Sequence, residues 1–195
     1  MGVDALQRSS LAYRKWRSEI WQGRVPEKYT RLLPYIQGSP ILELGSAEGV
    51  LSLLLAKRGG DVIGLELRPE RHEEALRLKR AWSGRAKFVC GDIREHLHLL
   101  QRVETLVAVR AIYYLRNDAP AVMAFAAAAG IRRVVLCGNG NRAARYQHNP
   151  HDDLGKFNRL ASVEGMSELL ARAGYSIAQL VREGDPIVIG RLGDG

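Results

Sequence analysis

The sequence predicts a doubly wound α/β domain: a mostly parallel seven-stranded sheet with an antiparallel last strand, preceded by an N-terminal helical extension. Three observations predict it. Short apolar runs alternate with helical patterns from residue 41 onward, the first run ends in a glycine-bearing turn that opens a helix, and the chain closes on a helix followed by a hairpin. Such alternation implies parallel strands joined by right-handed crossovers.

The elements follow in order. Residues 1–33 read as a mostly helical extension, in which Leu6, Leu11, Trp16 and Ile20 fall near helical spacing until Pro26 breaks the pattern. Pro34, Gly38 and Pro40 punctuate the passage into the main domain, so the expected division is an extension or lid over 1–35 and a ligand-binding domain over 36–195. Ile41–Leu44 is the first strand, and Val50–Arg58 is a helix stopped by Gly59 and Gly60. Asp61–Leu67 is a strand, Glu70–Trp82 a helix, Lys87–Cys90 a short strand, Ile93–Leu100 a helix, and Thr105–Val109 a buried strand. Asp118 is placed to cap a helix with Pro120 in its first turn and Gly130 as its stop, and Val134–Cys137 is the next strand. Gly138–Phe157 is polar and aperiodic, which predicts a long loop, functional or disordered. Ser162 caps a helix over Val163–Ala173, Gly174 stops it, and Ser176–Val181 and Pro186–Gly190 form the hairpin around Glu183-Gly184-Asp185.

Composition narrows the function classes. At 195 residues, 46% apolar and 26% charged, the chain suits one soluble domain with a full core. Its two cysteines, Cys90 and Cys137, lie in apolar runs and form no disulfide framework. No apolar run approaches the ~18 residues of a membrane span, and the N-terminus lacks the apolar core of a signal peptide, so a cytoplasmic protein is expected. The net charge of +8 favours anionic partners, although no Lys/Arg run stands out.

The most informative segment is Ile41-Leu42-Glu43-Leu44-Gly45-Ser46-Ala47-Glu48-Gly49. It places a turn at the carboxyl end of the first strand, where open α/β sheets bind ligands. A dinucleotide fingerprint needs a glycine where Ala47 stands. Glu43 and Glu48 would repel a pyrophosphate but suit the ammonium and sulfonium charges of S-adenosylmethionine. Glu66 ends the second strand, where a carboxylate can accept both hydroxyls of a ribose. Gly91-Asp92 ends the third, where an acid can accept the exocyclic amino group of adenine. Each feature also has a plain structural reading: glycines for close helix–strand packing, acids as helix N-caps.

The run Glu43-Leu44-Gly45-Ser46-Ala47-Glu48-Gly49, followed by Glu66 and Gly91-Asp92, resembles the motifs of the class I S-adenosylmethionine-dependent methyltransferases. The resemblance extends over residues 36–192 and includes the terminal helix and hairpin. It implies a Rossmann-like methyltransferase fold with S-adenosylmethionine as cofactor. It also implies that Gly45, Ser46, Ala47 and Glu48 line the methionine moiety, Glu66 the ribose, and Asp92 with Ile93 the adenine. Glu43, Gly49, Leu67, Gly91 and Arg110 complete the expected cofactor set.

The acceptor side is less defined. Tyr113 and Tyr114 follow the fourth strand, in the segment that faces the cofactor in that family. They, with His148 and His151 of the long loop, are the catalytic candidates, the histidines as general bases unless they only solvate the loop. No Asp/Asn-Pro-Pro-aromatic motif follows the fourth strand, which argues against amino-group methylation of adenine or glutamine. Cys137 reads as a buried, inert thiol, and the spacing of His148, His151 and Asp152 fits no standard zinc pattern, so no metal is expected. The N-terminal extension interleaves Tyr13, Trp16, Trp21 and Tyr29 with Arg14, Lys15, Arg17 and Arg24, a mixture suited to packing and to substrate contact. The expected reaction is O-methylation of a small molecule or saccharide, which can be anionic, with RNA as the alternative acceptor. A non-catalytic interaction module and a nicotinamide oxidoreductase fit the acidic set less well.

Overall fold

Residues 18–148 and 157–193 are described by a computed structural model of the chain. The chain divides into two units, Met1–Pro34 and Tyr35–Gly195. In the first, a helix ends over residues 18–21, Gly23 turns the chain at φ +78°, and α1 (Glu27–Thr30) adds one turn after Pro26. Leu6, Leu11 and Trp16 of the expected helical stripe lie outside the described residues.

The second unit carries seven strands: β1 (Ile41–Leu44), β2 (Val62–Glu66), β3 (Lys87–Cys90), β4 (Thr105–Val109), β5 (Arg133–Cys137), β6 (Ser176–Val181) and β7 (Ile187–Arg191). They form one sheet in the order β3-β2-β1-β4-β5-β7-β6. β3, β2, β1, β4 and β5 pair in parallel, whereas β7 runs antiparallel to both β5 and β6. The predicted fold class is therefore the observed one. Chain order reverses between β1 and β4, which puts the topological switch point at the carboxyl ends of those two strands.

Among the described residues these helices accompany the sheet: α2 (Val50–Lys57), α3 (Pro69–Ala81), α4 (Ala119–Ala128), α5 (Gly140–His148) and α6 (Val163–Arg172). One face of the sheet, with Leu42, Leu44, Leu106, Ala108, Val134 and Leu136, shares a continuous core with Val122, Met123 and Ala126 of α4 and Met166, Leu169 and Leu170 of α6. Burying such side chains contributes ~1.5–3 kcal/mol each before entropy is counted, which is why the central strands read as unbroken apolar runs. Opposite, α2 packs on β2, and α3 packs on β2 and β3.

Four local expectations are corrected. The segment over Ile93–Leu100 is not an α-helix but two 3-10 segments, Ile93–Glu95 and Leu97–Arg102. The Asp92 carboxylate accepts from Arg94 N at 2.9 Å and its carbonyl from Glu95 N at 3.0 Å, so side-chain and backbone bonds tighten the turn. Asp118 does not cap α4: its own φ and ψ are helical and its side chain receives Arg94 instead, at 3.2 Å. The supposed loop after β5 begins with a helix, α5, because Asn139 Oδ1 accepts from Asn141 N at 3.1 Å and Arg142 N at 3.3 Å. The last strand runs Ile187–Arg191, one residue later than expected at each end. Ser162 does cap α6, accepting from Gly165 N at 3.2 Å, and Gly174 stops it at φ +91°.

Gly138, which follows β5, has an ordinary backbone conformation, yet a Cβ there would overlap the carbonyl oxygen of Ala161. Space alone demands glycine. Gly138→Ala should therefore lower stability by about 1–3 kcal/mol, the usual cost of overpacking, read as a lower urea midpoint at unchanged m-value.

Candidate functional site

The site is built around the turn after β1. Gly45 N and Ser46 N both donate to the carbonyl of Leu65, at 2.8 and 3.0 Å, which holds the turn against the end of β2. Gly45 sits at φ +72°, and a Cβ on it would come within 2.7 Å of Ala111 Cβ. Glycine is thus required twice, for its conformation and for the close approach of the segment after β4. Ala47 also has positive φ, +50°, and its N–H donates to Glu66 Oε2 at 2.8 Å. Gly49, at φ +77°, leads into α2.

The acids at this end of the sheet differ in what they already hold. Glu43 is buried and accepts from Ser52 Oγ of α2 at 2.6 Å. Glu48 is buried with Arg71 of α3 at 3.9 Å. Glu66, only 6% exposed, accepts from Ala47 N and, at 3.0 Å, from Arg68 N. Two carboxylate oxygens offer about four lone-pair sites, so Glu66 keeps acceptor capacity beyond these two bonds. Next to it along the chain, Leu67 is 61% exposed. Asp92 is more fully engaged: Arg94 reaches Oδ1 through N and Nε, at 2.9 and 3.0 Å, and Oδ2 through a terminal nitrogen at 2.5 Å. That guanidinium holds the Asp92 carboxyl below the usual carboxylate range. Gly91 lies close under the His96 ring, and Ile93 is buried.

One polar atom in the turn is left over. Ser46 Oγ is buried and has no hydrogen-bond partner among the described residues. An unpaired buried hydroxyl costs free energy and marks a place for a polar ligand group. The donors and acceptors present fit a ligand with hydroxyls and a polar, charged end.

The acceptor-side candidates separate. Arg110, at φ +52°, turns away into a contact that the sequence does not announce: its Nε donates to Asp185 Oδ2 at 2.7 Å and a terminal nitrogen lies 2.5 Å from the same oxygen. Asp185 Oδ1 also accepts from Gly140 N at 3.2 Å. Asp185 thereby joins the end of β4, the β6–β7 turn and the start of α5; as part of a hairpin turn it gave no local sign of this. Tyr113 is buried and Tyr114 is 66% exposed, with ring centroids 4.7 Å apart. Arg142 of α5 stands over both rings, at 4.6 and 5.2 Å from their centroids. His148 closes α5 and so starts from a helix rather than a loop. His151 and Asp152 lie outside the described residues, as do Tyr13, Arg14, Lys15, Trp16 and Arg17 of the extension. Cys137 is buried, as expected, and no cluster of metal-binding residues occurs among the described residues.

Residues 41–132 match a family described as methyltransferase domain, a stretch that spans β1 to the residue before β5 and contains the whole glycine turn and acidic set. The chain carries a class I S-adenosylmethionine-dependent methyltransferase domain. Solved structures share the methyltransferase fold. A TehB-like SAM-dependent methyltransferase from Corynebacterium glutamicum is 19% identical, with a TM-score of 0.60 over 96% of this chain and 99% of that one. The magnesium protoporphyrin IX methyltransferase of Synechocystis PCC 6803 with bound SAH is 16% identical, with a TM-score of 0.62 over 94% and 95%. Aeropyrum pernix fibrillarin with natively bound S-adenosyl-L-methionine is 17% identical, with a TM-score of 0.55 over 80% and 68%. No curated protein matches the sequence.

In this methyltransferase domain burial pushes the Tyr113 phenol up to about 12, and that of Tyr175 likewise. Tyr113 therefore stays protonated at neutral pH and can donate a hydrogen bond. Both values lie above the ordinary ~10 of an unfolded tyrosine, so between about pH 10 and 12 the unfolded chain has lost protons that the folded chain keeps. Stability should fall over that window, and fall less in Tyr113→Phe, as read by chemical unfolding at stepped pH. An equal fall in both proteins would show that Tyr113 titrates normally.

Proposed function

We propose that the domain transfers the methyl group of S-adenosylmethionine to an oxygen of a small-molecule or saccharide acceptor. The observation that carries the cofactor part is the spare acceptor capacity of Glu66 beside the partnerless Ser46 hydroxyl, at the switch point of the sheet. In this reading Glu66 takes the ribose hydroxyls. Ser46, with the backbone of Gly45, Ala47, Glu48 and Gly49, lines the methionine end. Exposed Leu67 offers an apolar surface to the adenine ring, flanked by Gly91, Asp92 and Ile93. Glu43 and Arg110 act at one remove, Glu43 by fixing α2 through Ser52 and Arg110 by fixing the segment after β4 through Asp185.

When bound, the cofactor supplies an electrophilic methyl group on a sulfonium. The chain's own contribution is placement, which can supply much of the acceleration of a two-reactant step. Ala111 against Gly45 brings the Tyr113–Tyr114 segment to the turn, so these tyrosines can orient an acceptor hydroxyl. Tyr113 does so as a donor. Proton removal is assigned to His148 or His151, whose ordinary range spans neutrality. RNA is the second acceptor class, favoured by the net charge of +8 and marked by binding that weakens steeply with salt.

The acids' engagement sets an order for cofactor binding. Glu66→Ala should weaken S-adenosylhomocysteine by roughly 1.5–3 kcal/mol, because an ionised double acceptor is lost. Asp92→Ala should weaken it less, because Arg94 already occupies most of that carboxylate. Calorimetry decides, and unchanged affinity in Glu66→Ala removes Glu66 from the site.

A further inference from the structure

We propose that Arg142 is the anion-recognition residue of the acceptor site, and that the acceptor carries a carboxylate or phosphate group on a planar body. This deepens the methyl-transfer reading and rests on it.

Arg142 stands in the first turn of α5, just past the carboxyl end of β5. Among the described residues its guanidinium is held in place by neutral groups. One terminal nitrogen donates to Tyr114 Oη at 3.3 Å, the other to buried Asn158 Oδ1 at 3.2 Å. Its two aromatic contacts, Tyr113 and Tyr114, fix the plane of the fork. Among the described residues no carboxylate lies within ion-pair distance of it. Two other arginines at this end of the sheet differ: Arg94 has Asp92 and Asp118, and Arg110 has Asp185.

Five N–H donors and two bonds leave three donors without a partner among the described residues. A half-buried guanidinium fixed by oriented neutral groups, with no counter-charge among the described residues, is arranged to receive an oxyanion through a bidentate pair. A purely structural arginine would need only the two stacking contacts.

Position ties this cation to the methyl-transfer site. Ala111 lies against Gly45, Tyr113 and Tyr114 follow it, and Arg142 stands over their rings. A planar acceptor anchored at Arg142 would lie along the exposed face of Tyr114 and point its other end back toward the glycine turn. The distance between anchor and turn would then select acceptors with the reacting hydroxyl at the end opposite the anion.

The experiment uses the full chain loaded with S-adenosylhomocysteine, whose binding is measured first by calorimetry. Benzoate, phenyl phosphate and benzamide are then titrated separately. The expected result is that at least one anion binds and benzamide binds at least tenfold more weakly, with the stronger of the two anions identifying the oxyanion. Arg142→Met should abolish that preference while S-adenosylhomocysteine affinity and melting temperature hold. Arg142→Lys, which keeps the charge and loses the fork, should retain part of it and serves if the methionine variant does not fold. Equal binding of benzoate and benzamide, no anion binding to the loaded protein, or a preference unchanged in both variants would overturn the proposal. Absence of S-adenosylhomocysteine binding would overturn the methyl-transfer reading itself, and with it this inference.

Discussion

The carbonyl oxygen of Leu65 receives two backbone donors, Gly45 N and Ser46 N, and the position of everything at the carboxyl end of the sheet follows from that staple. It stops β1 where it does and turns the chain across the end of β2. It leaves Ala47 N directed at the Glu66 carboxylate. Three residues of this turn hold positive φ, Gly45 and Gly49 at no steric cost and Ala47 at a cost on the order of 1 kcal/mol. Ala47 stays there because Glu66 accepts its N–H, so the acid organises the turn before it meets any ligand. The same acid then serves two tasks, and its loss would disturb both.

A second set of contacts stations the opposite wall. Arg110, Asp185 and Gly140 belong to three elements far apart in the chain, and Asp185 bonds the other two. Without it the guanidinium after β4 would lack its partner, the start of α5 would lose an anchor, and the β6–β7 turn would be free to shift. The positive φ of Arg110 belongs to the same arrangement. Strain there is tolerated because the ion pair, the strand end and the Cys137 carbonyl that accepts Arg110 N at 2.7 Å together over-determine the conformation.

The sheet, its switch point and the acidic ladder were legible in the sequence, and for one reason: each is encoded within a few residues of itself. Buried parallel strands must be largely apolar, a tight turn must contain glycine, and Glu66 and Asp92 announce themselves by ending apolar runs. Features that depend on distant partners were not legible. Asp118 has the residue type of a cap, yet Arg94 takes its carboxylate. Asp185 reads as turn chemistry, yet its role is to hold Arg110. α5 is hard to read because Gly140–His148 carries only two alanines and a tyrosine as apolar residues, too few for a hydrophobic period. Asn139 before it was the signal available, since asparagine is among the favoured N-caps.

The two arginines nearest the tyrosines suggest how one small domain can keep cofactor and acceptor apart electrostatically. Arg110 is matched by Asp185, so the segment that approaches the glycine turn carries little net charge toward it. Glu43 and Glu48 likewise are held by Ser52 and Arg71, on the side of α2 and α3. Arg142, beyond Tyr113 and Tyr114, has no carboxylate partner among the described residues. An anionic acceptor of the kind proposed would be drawn past the turn and toward that wall. Charge placement of this kind orients an acceptor without a dedicated contact at the reacting atom, and that is the contribution a reaction governed by alignment requires.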